Sequence, residues 1–105
     1  MLRLTASLLL FTALLAGCSS SSAEGAEVAI HGNTYNPSSV TVKAGEHVHF
    51  ANHDAVEHSI TPDSGGFSGK DIDGEKEADI DFPAAGTFAY HCKYHPAMHG
   101  TVTVS

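Results

Sequence analysis

The sequence predicts an all-β domain, and three features carry that prediction. Apolar residues recur at every second position in short runs, Gly, Pro, Asn and Asp punctuate those runs, and no stretch beyond residue 25 sustains a helical period. Short alternating strands at this spacing build an antiparallel sandwich or barrel.

The first run turns Val28 and Ile30 to one side and Ala29 and His31 to the other. Val40 and Val42 then alternate with Thr41 and Lys43, and Val48 and Phe50 alternate with His47 and His49. Breaks over 32–37, 44–46, 52–54 and 62–66 hold the turn-forming residues. Over 71–82, Asp71, Asp73, Glu75, Glu77, Asp79 and Asp81 occupy odd positions and Ile72, Ala78, Ile80 and Phe82 even ones. A strand there buries one face and presents a row of carboxylates on the other, either a solvated face that discourages edge pairing or a docking stripe for a basic partner. PAAG at 83–86 is a turn, Phe88, Tyr90 and Cys92 share one face of the next strand, and Val102 and Val104 point inward from the last.

Residues 1–17 stand outside that pattern. Met1, Leu2 and Arg3 make a short positive start, Leu4 to Ala16 is apolar but too short for a membrane span, and small residues follow, as in a secretory signal. Leu15, Ala16, Gly17 and Cys18 resemble the lipobox of bacterial lipoproteins, which implies cleavage before Cys18 and a diacylglycerol on its sulfur. Residues 18–25, CSSSSAEG, are polar and aperiodic, a tether reaching on the order of 15 Å. The expected organisation is a signal peptide over 1–17, a lipidated tether over 18–25 and one domain over 26–105, held outside the cytoplasm on a bacterial membrane.

The chain carries 12 acidic against 5 basic side chains, a formal charge of −7, and loss of Arg3 with the signal makes it more negative. Nucleic acid is excluded as a partner by such a surface. The 2 cysteines divide between lipid at Cys18 and chemistry at Cys92, so no disulfide is expected.

That chemistry lies in GTFAYHCKYHPAMHGTV, residues 86–102. Cys92, His95 and Met98 follow one another with two residues between each, and a thiolate, an imidazole and a thioether form a soft set that suits copper. Upstream, NHDAVEHSI offers His58 as the second imidazole, completing a trigonal Cys/His/His site with a weak axial Met. Pro96 and Gly100 are expected to shape a tight loop that returns His95 and Met98 to the metal. Such a loop resists changing shape when the ion changes charge.

Residues 34–105 resemble the blue copper proteins, or cupredoxins, of the amicyanin and plastocyanin group. The short Cys-x-x-His-x-x-Met loop with its Tyr-His-Cys lead-in carries the resemblance, together with YNPSSVTVKAGEHVHFANHDAVEHSI, in which Gly45, Asn52 and His58 fall at matching places. The resemblance implies a Greek-key β-sandwich of about seven to eight strands, one type 1 copper held by His58, Cys92, His95 and Met98, and one-electron transfer rather than catalysis. It implies that the loop of Asn52 and Asp54 before His58 ties the two ligand segments together by side-chain hydrogen bonds, and that Ser59, where the family has Asn, keeps only its backbone N–H for the Cys92 sulfur. It also implies an apolar patch at His95, Pro96 and Ala97 where a cytochrome, dehydrogenase or oxidase docks.

Other readings stand beside this one. Cys92 and Met98 pack well as inert core residues, and His91, Cys92, His95 and His99 make a zinc-type set, though at a spacing that splits them between strand faces. A copper carrier or buffer would use the same ligands and release the ion. His31, His47, His49 and His91 fall on outward positions, and His47 and His49, two apart on one face, are able to chelate Cu(II) or Zn(II) weakly.

Overall fold

A computed structural model describes residues 25–105; the signal, Cys18 and all but the last residue of the tether lie outside the described residues. Nine strands form: β1 (Ala26–His31), β2 (Thr34–Asn36), β3 (Ser39–Val42), β4 (His47–Asn52), β5 (His58–Pro62), β6 (Lys70–Ile72), β7 (Glu77–Asp81), β8 (Gly86–Cys92) and β9 (His95–Val104). They make a sandwich of two sheets, β2-β1-β4-β7 and β3-β9-β8-β5-β6, with no helix among the described residues. The strand count exceeds expectation because β2 and β6 are only 3 residues each.

The alternation read from sequence is the alternation seen. Val28, Ile30, Val48, Phe50, Ile80, Tyr90, Val102 and Val104 all enter one core between the sheets. Tyr90 lies at its centre, edge-on to Tyr35 at 4.8 Å and to Phe50 at 5.6 Å between ring centroids. A second aromatic group, Phe67, Phe82 and Phe88, fills one side.

Three expectations are corrected. The sheets are mixed: β1 pairs with β4, and β3 with β9, in parallel. A period of two records which face is buried and carries no information about a partner's direction. The acidic stretch 71–82 is two strands, because a turn at 73–76, with Glu75 at φ 63°, sends β6 and β7 to opposite sheets. Its carboxylates therefore never form one row. Gly100, finally, relaxes no turn. It lies inside β9, and a Cβ there would drive into the Tyr90 ring, so the glycine makes room for the largest buried side chain.

Candidate metal centre

Strand β8 delivers Cys92 to the end of the sandwich with its side chain fully buried, on the same inward face as Tyr90. An irregularity between His91 and Cys92 ends the regular ladder, and only Lys93 and Tyr94 separate β8 from β9. The chain thus doubles back at once, and Cys92 pairs directly with His95. His58 opens β5 in the same sheet and is completely buried. The site forms where the end of one strand meets the starts of two others.

The three donors converge. His58 Nδ1 and His95 Nδ1 each lie 3.7 Å from Cys92 Sγ, and the three atoms fall within 4.8 Å of one another. An ion about 2.3 Å from sulfur and about 2.0 Å from each nitrogen, with bonds at 120°, would separate sulfur from nitrogen by about 3.7 Å. Both sulfur–nitrogen separations therefore match those of a trigonal N₂S ion. Met98 is 4% exposed and shares the core cluster with Cys92, while Pro96 and Ala97 are exposed beside the half-buried His95. The zinc-type set does not assemble, because the His91 ring turns to Asp63 Oδ1 at 2.6 Å and His99 is exposed.

What orients His58 is Asp54, which the resemblance set beside Asn52 in the ligand loop without a role of its own. Asp54 Oδ2 accepts from His58 Nε2 at 2.9 Å. A carboxylate only accepts, so Nε2 carries the proton and Nδ1 presents its lone pair toward the Cys92 sulfur. Burial opposes ionisation of Asp54, but the N–H groups of Asn33 and Gly32, with the His58 ring, outweigh it and hold the carboxyl at about 2. No local signal marks Asp54 as different from the other acidic residues; its partners come from the β1–β2 turn, more than 20 residues away.

Ser59 keeps its expected N–H to the Cys92 sulfur and takes over the tie expected of Asn52. Asn52 does not tie the ligand segments: its Nδ2 donates to the carbonyls of Val56, Ile72 and Asp73, and its Oδ1 accepts from Asp54 N–H, bracing the loop before His58 against β6. Ser59 makes the tie instead. Its N–H points to Cys92 Sγ at 3.4 Å and its hydroxyl accepts from Lys93 N–H at 2.9 Å, so backbone and side chain both join β5 to the ligand loop. Tyr35 adds a third brace, donating to the Ser59 carbonyl at 2.6 Å, and burial, followed by the neighbouring Cys92 and Tyr90, keeps its phenol protonated.

Comparison with known proteins agrees with this architecture. The sequence profile of the Cupredoxin-like domain matches residues 4–104. The amicyanin of Paracoccus versutus is 32% identical over 87 residues, covering 78% of this chain, and the amicyanin-alpha of Methylorubrum extorquens is 34% identical over 83 residues, covering 74%. Those matches span 66% and 70% of the relatives' own lengths, about two thirds. Among solved structures, a variant of amicyanin in its Cu(I) form superposes with a TM-score of 0.69 at 28% identity, covering 77% of this chain and 82% of that one.

Proposed function

This chain belongs to the cupredoxin family, and from that premise we propose that it is a blue copper protein that moves single electrons between redox partners. Bound copper would supply the one-electron chemistry through its Cu(I) and Cu(II) states, and His58, Cys92, His95 and Met98 are the residues that would hold it. The observation that carries the reading is the convergence of sulfur and two imidazoles from β5, β8 and β9 at trigonal spacing.

Neighbouring groups hold the segments that carry the donors. Asp54 sets the His58 tautomer, the Ser59 N–H steadies the Cys92 sulfur, and the two-residue link holds His95 against β8. A cage restrained from both sheets has little freedom to relax when charge changes, which keeps the reorganisation cost of electron transfer low. The ring of His95 is the donor nearest solvent, with Pro96 and Ala97 exposed around it, and this is the edge where a redox partner docks. The negative surface favours a basic partner.

The tether and lipid on Cys18, the signal over 1–17 and the domain over 26–105 complete the proposal as an extracytoplasmic, membrane-anchored carrier. What supports the anchor is the Leu-Ala-Gly-Cys sequence at 15–18, and mass spectrometry of the N-terminal peptide tests it, an unmodified Cys18 thiol removing it. For the metal, Cu(II) is added to the purified protein. An intense visible thiolate-to-copper band is expected and should vanish in Cys92→Ser; a colourless complex, or a band that survives that substitution, defeats the proposal.

A further inference from the structure

Away from the metal centre, the outer face of the four-stranded sheet gathers metal-ligating groups that electron transfer does not use. His47 and His49 both point outward from β4, an interior strand with β1 on one side and β7 on the other. The register places Asp81 opposite His47, Asp79 opposite His49, and Glu27 opposite His49 from the other side. Carboxylates therefore flank the imidazoles on both edges.

We propose that this face is a second metal site, binding a divalent transition ion, Zn(II) or Cu(II), through His47, His49 and Asp79. Asp79 Oδ1 lies 2.6 Å from His49 Nδ1 and 4.0 Å from His47 Nε2, between the two rings. An ion bonded at 2.0–2.2 Å holds its donors about 3.4 Å apart, so the Asp79–His49 separation must open and the Asp79–His47 separation close by less than about 1 Å each, while the two imidazole nitrogens, beyond 4.8 Å from one another, close by more than about 1.4 Å. Among the described residues only the primary centre already has three donors within 4.8 Å of one another, and here the ion itself draws the imidazoles together. The His47 and His49 side chains are 39% and 30% exposed and have room to turn.

Glu77 gives the site its support. Its Oε1 lies 2.8 Å from His49 Nε2, so Nε2–H can donate to Glu77 while Nδ1 takes the ion, a carboxylate–histidine–metal relay. Lys70 leaves the Asp79 carboxylate free, because its Nζ donates to the Asp79 backbone carbonyl at 2.7 Å. The two carboxylates hold His49 preferentially protonated in the absence of an ion, side-chain bonding to Asp79 being the largest cause. Binding exchanges that proton for the metal, and apparent affinity rises with pH. Along β4 the site stands on the order of 10 Å or more from Asn52, which braces the primary centre, so the two ions do not compete.

The test is calorimetric titration of Zn(II) into the full chain after the primary centre has been filled with copper. One equivalent is expected to bind, at least tenfold more weakly in His47→Ala and in His49→Ala, with the visible copper band unchanged in both. Absence of binding, binding by either variant as tight as the parent's, or binding lost instead in His99→Ala overturns the proposal. If the protein gives no visible copper band at all, the same titration on Cys92→Ser still decides: an equivalent that depends on His47 and His49 sustains the second site independently of the first.

Discussion

Replacing Asp54 by Asn keeps the size of the side chain and removes the charge 2.9 Å from His58 Nε2. With the width of an imidazole and a metal–nitrogen bond of about 2 Å, the carboxylate stands about 7 Å from a copper on Nδ1. At an effective dielectric near 20, a unit charge at that distance is worth about 2.4 kcal/mol. This favours Cu(II) over Cu(I), and at 1.36 kcal/mol and 59 mV per tenfold it corresponds to about 100 mV. The Asp54 side chain is 16% exposed, so solvent screens part of that effect and a rise in potential of about 50–100 mV is expected. Voltammetry of Asp54→Asn beside the parent measures it, with the visible band and electron paramagnetic resonance spectrum confirming an intact centre. A potential that falls, or moves by less than about 10 mV with the spectra unchanged, refutes the reasoning that Asp54 acts on the ion by charge through His58.

Four further outcomes follow from the core and the sheet face. Gly100→Ala places a methyl group against the Tyr90 ring and should destabilise the fold by about 1–3 kcal/mol in urea unfolding, despite alanine's better strand entropy. Tyr35→Phe strands the buried Ser59 carbonyl and should cost about 1–2 kcal/mol, whereas Tyr90→Phe removes a buried hydroxyl with no hydrogen-bond partner and should be neutral or stabilising. His49 has its pKa raised by bonding to Asp79 against some desolvation, with Glu77 adding to the rise, so its contribution is fully present below about pH 6.5 and fades as pH climbs through the raised value. Metal-free protein should thus lose up to about 1 kcal/mol on the alkaline side relative to its value at pH 6, a loss absent from His49→Gln.

Much of this protein was legible in one dimension. The two-residue alternation of Val28, Ile30, Val48, Phe50 and Val102 specifies strands with one buried face, since successive side chains of extended backbone must point apart. The soft donors at Cys92, His95 and Met98 were equally visible, because their spacing is local and their chemistry belongs to the side chains themselves. Tertiary structure decided whatever depends on which strand lies beside which. It made the sheets mixed, split the acidic stretch 71–82 between them, and gave Gly100 a packing role in place of a turn. It also selected Asp54 from among many carboxylates and gave Ser59 rather than Asn52 the tie to the ligand loop. The physical reason is the same in each case. Periodicity and donor chemistry are properties of neighbours along the chain, whereas the Lys93–Ser59 hydrogen bond, spanning 34 residues, exists only once the sandwich has closed.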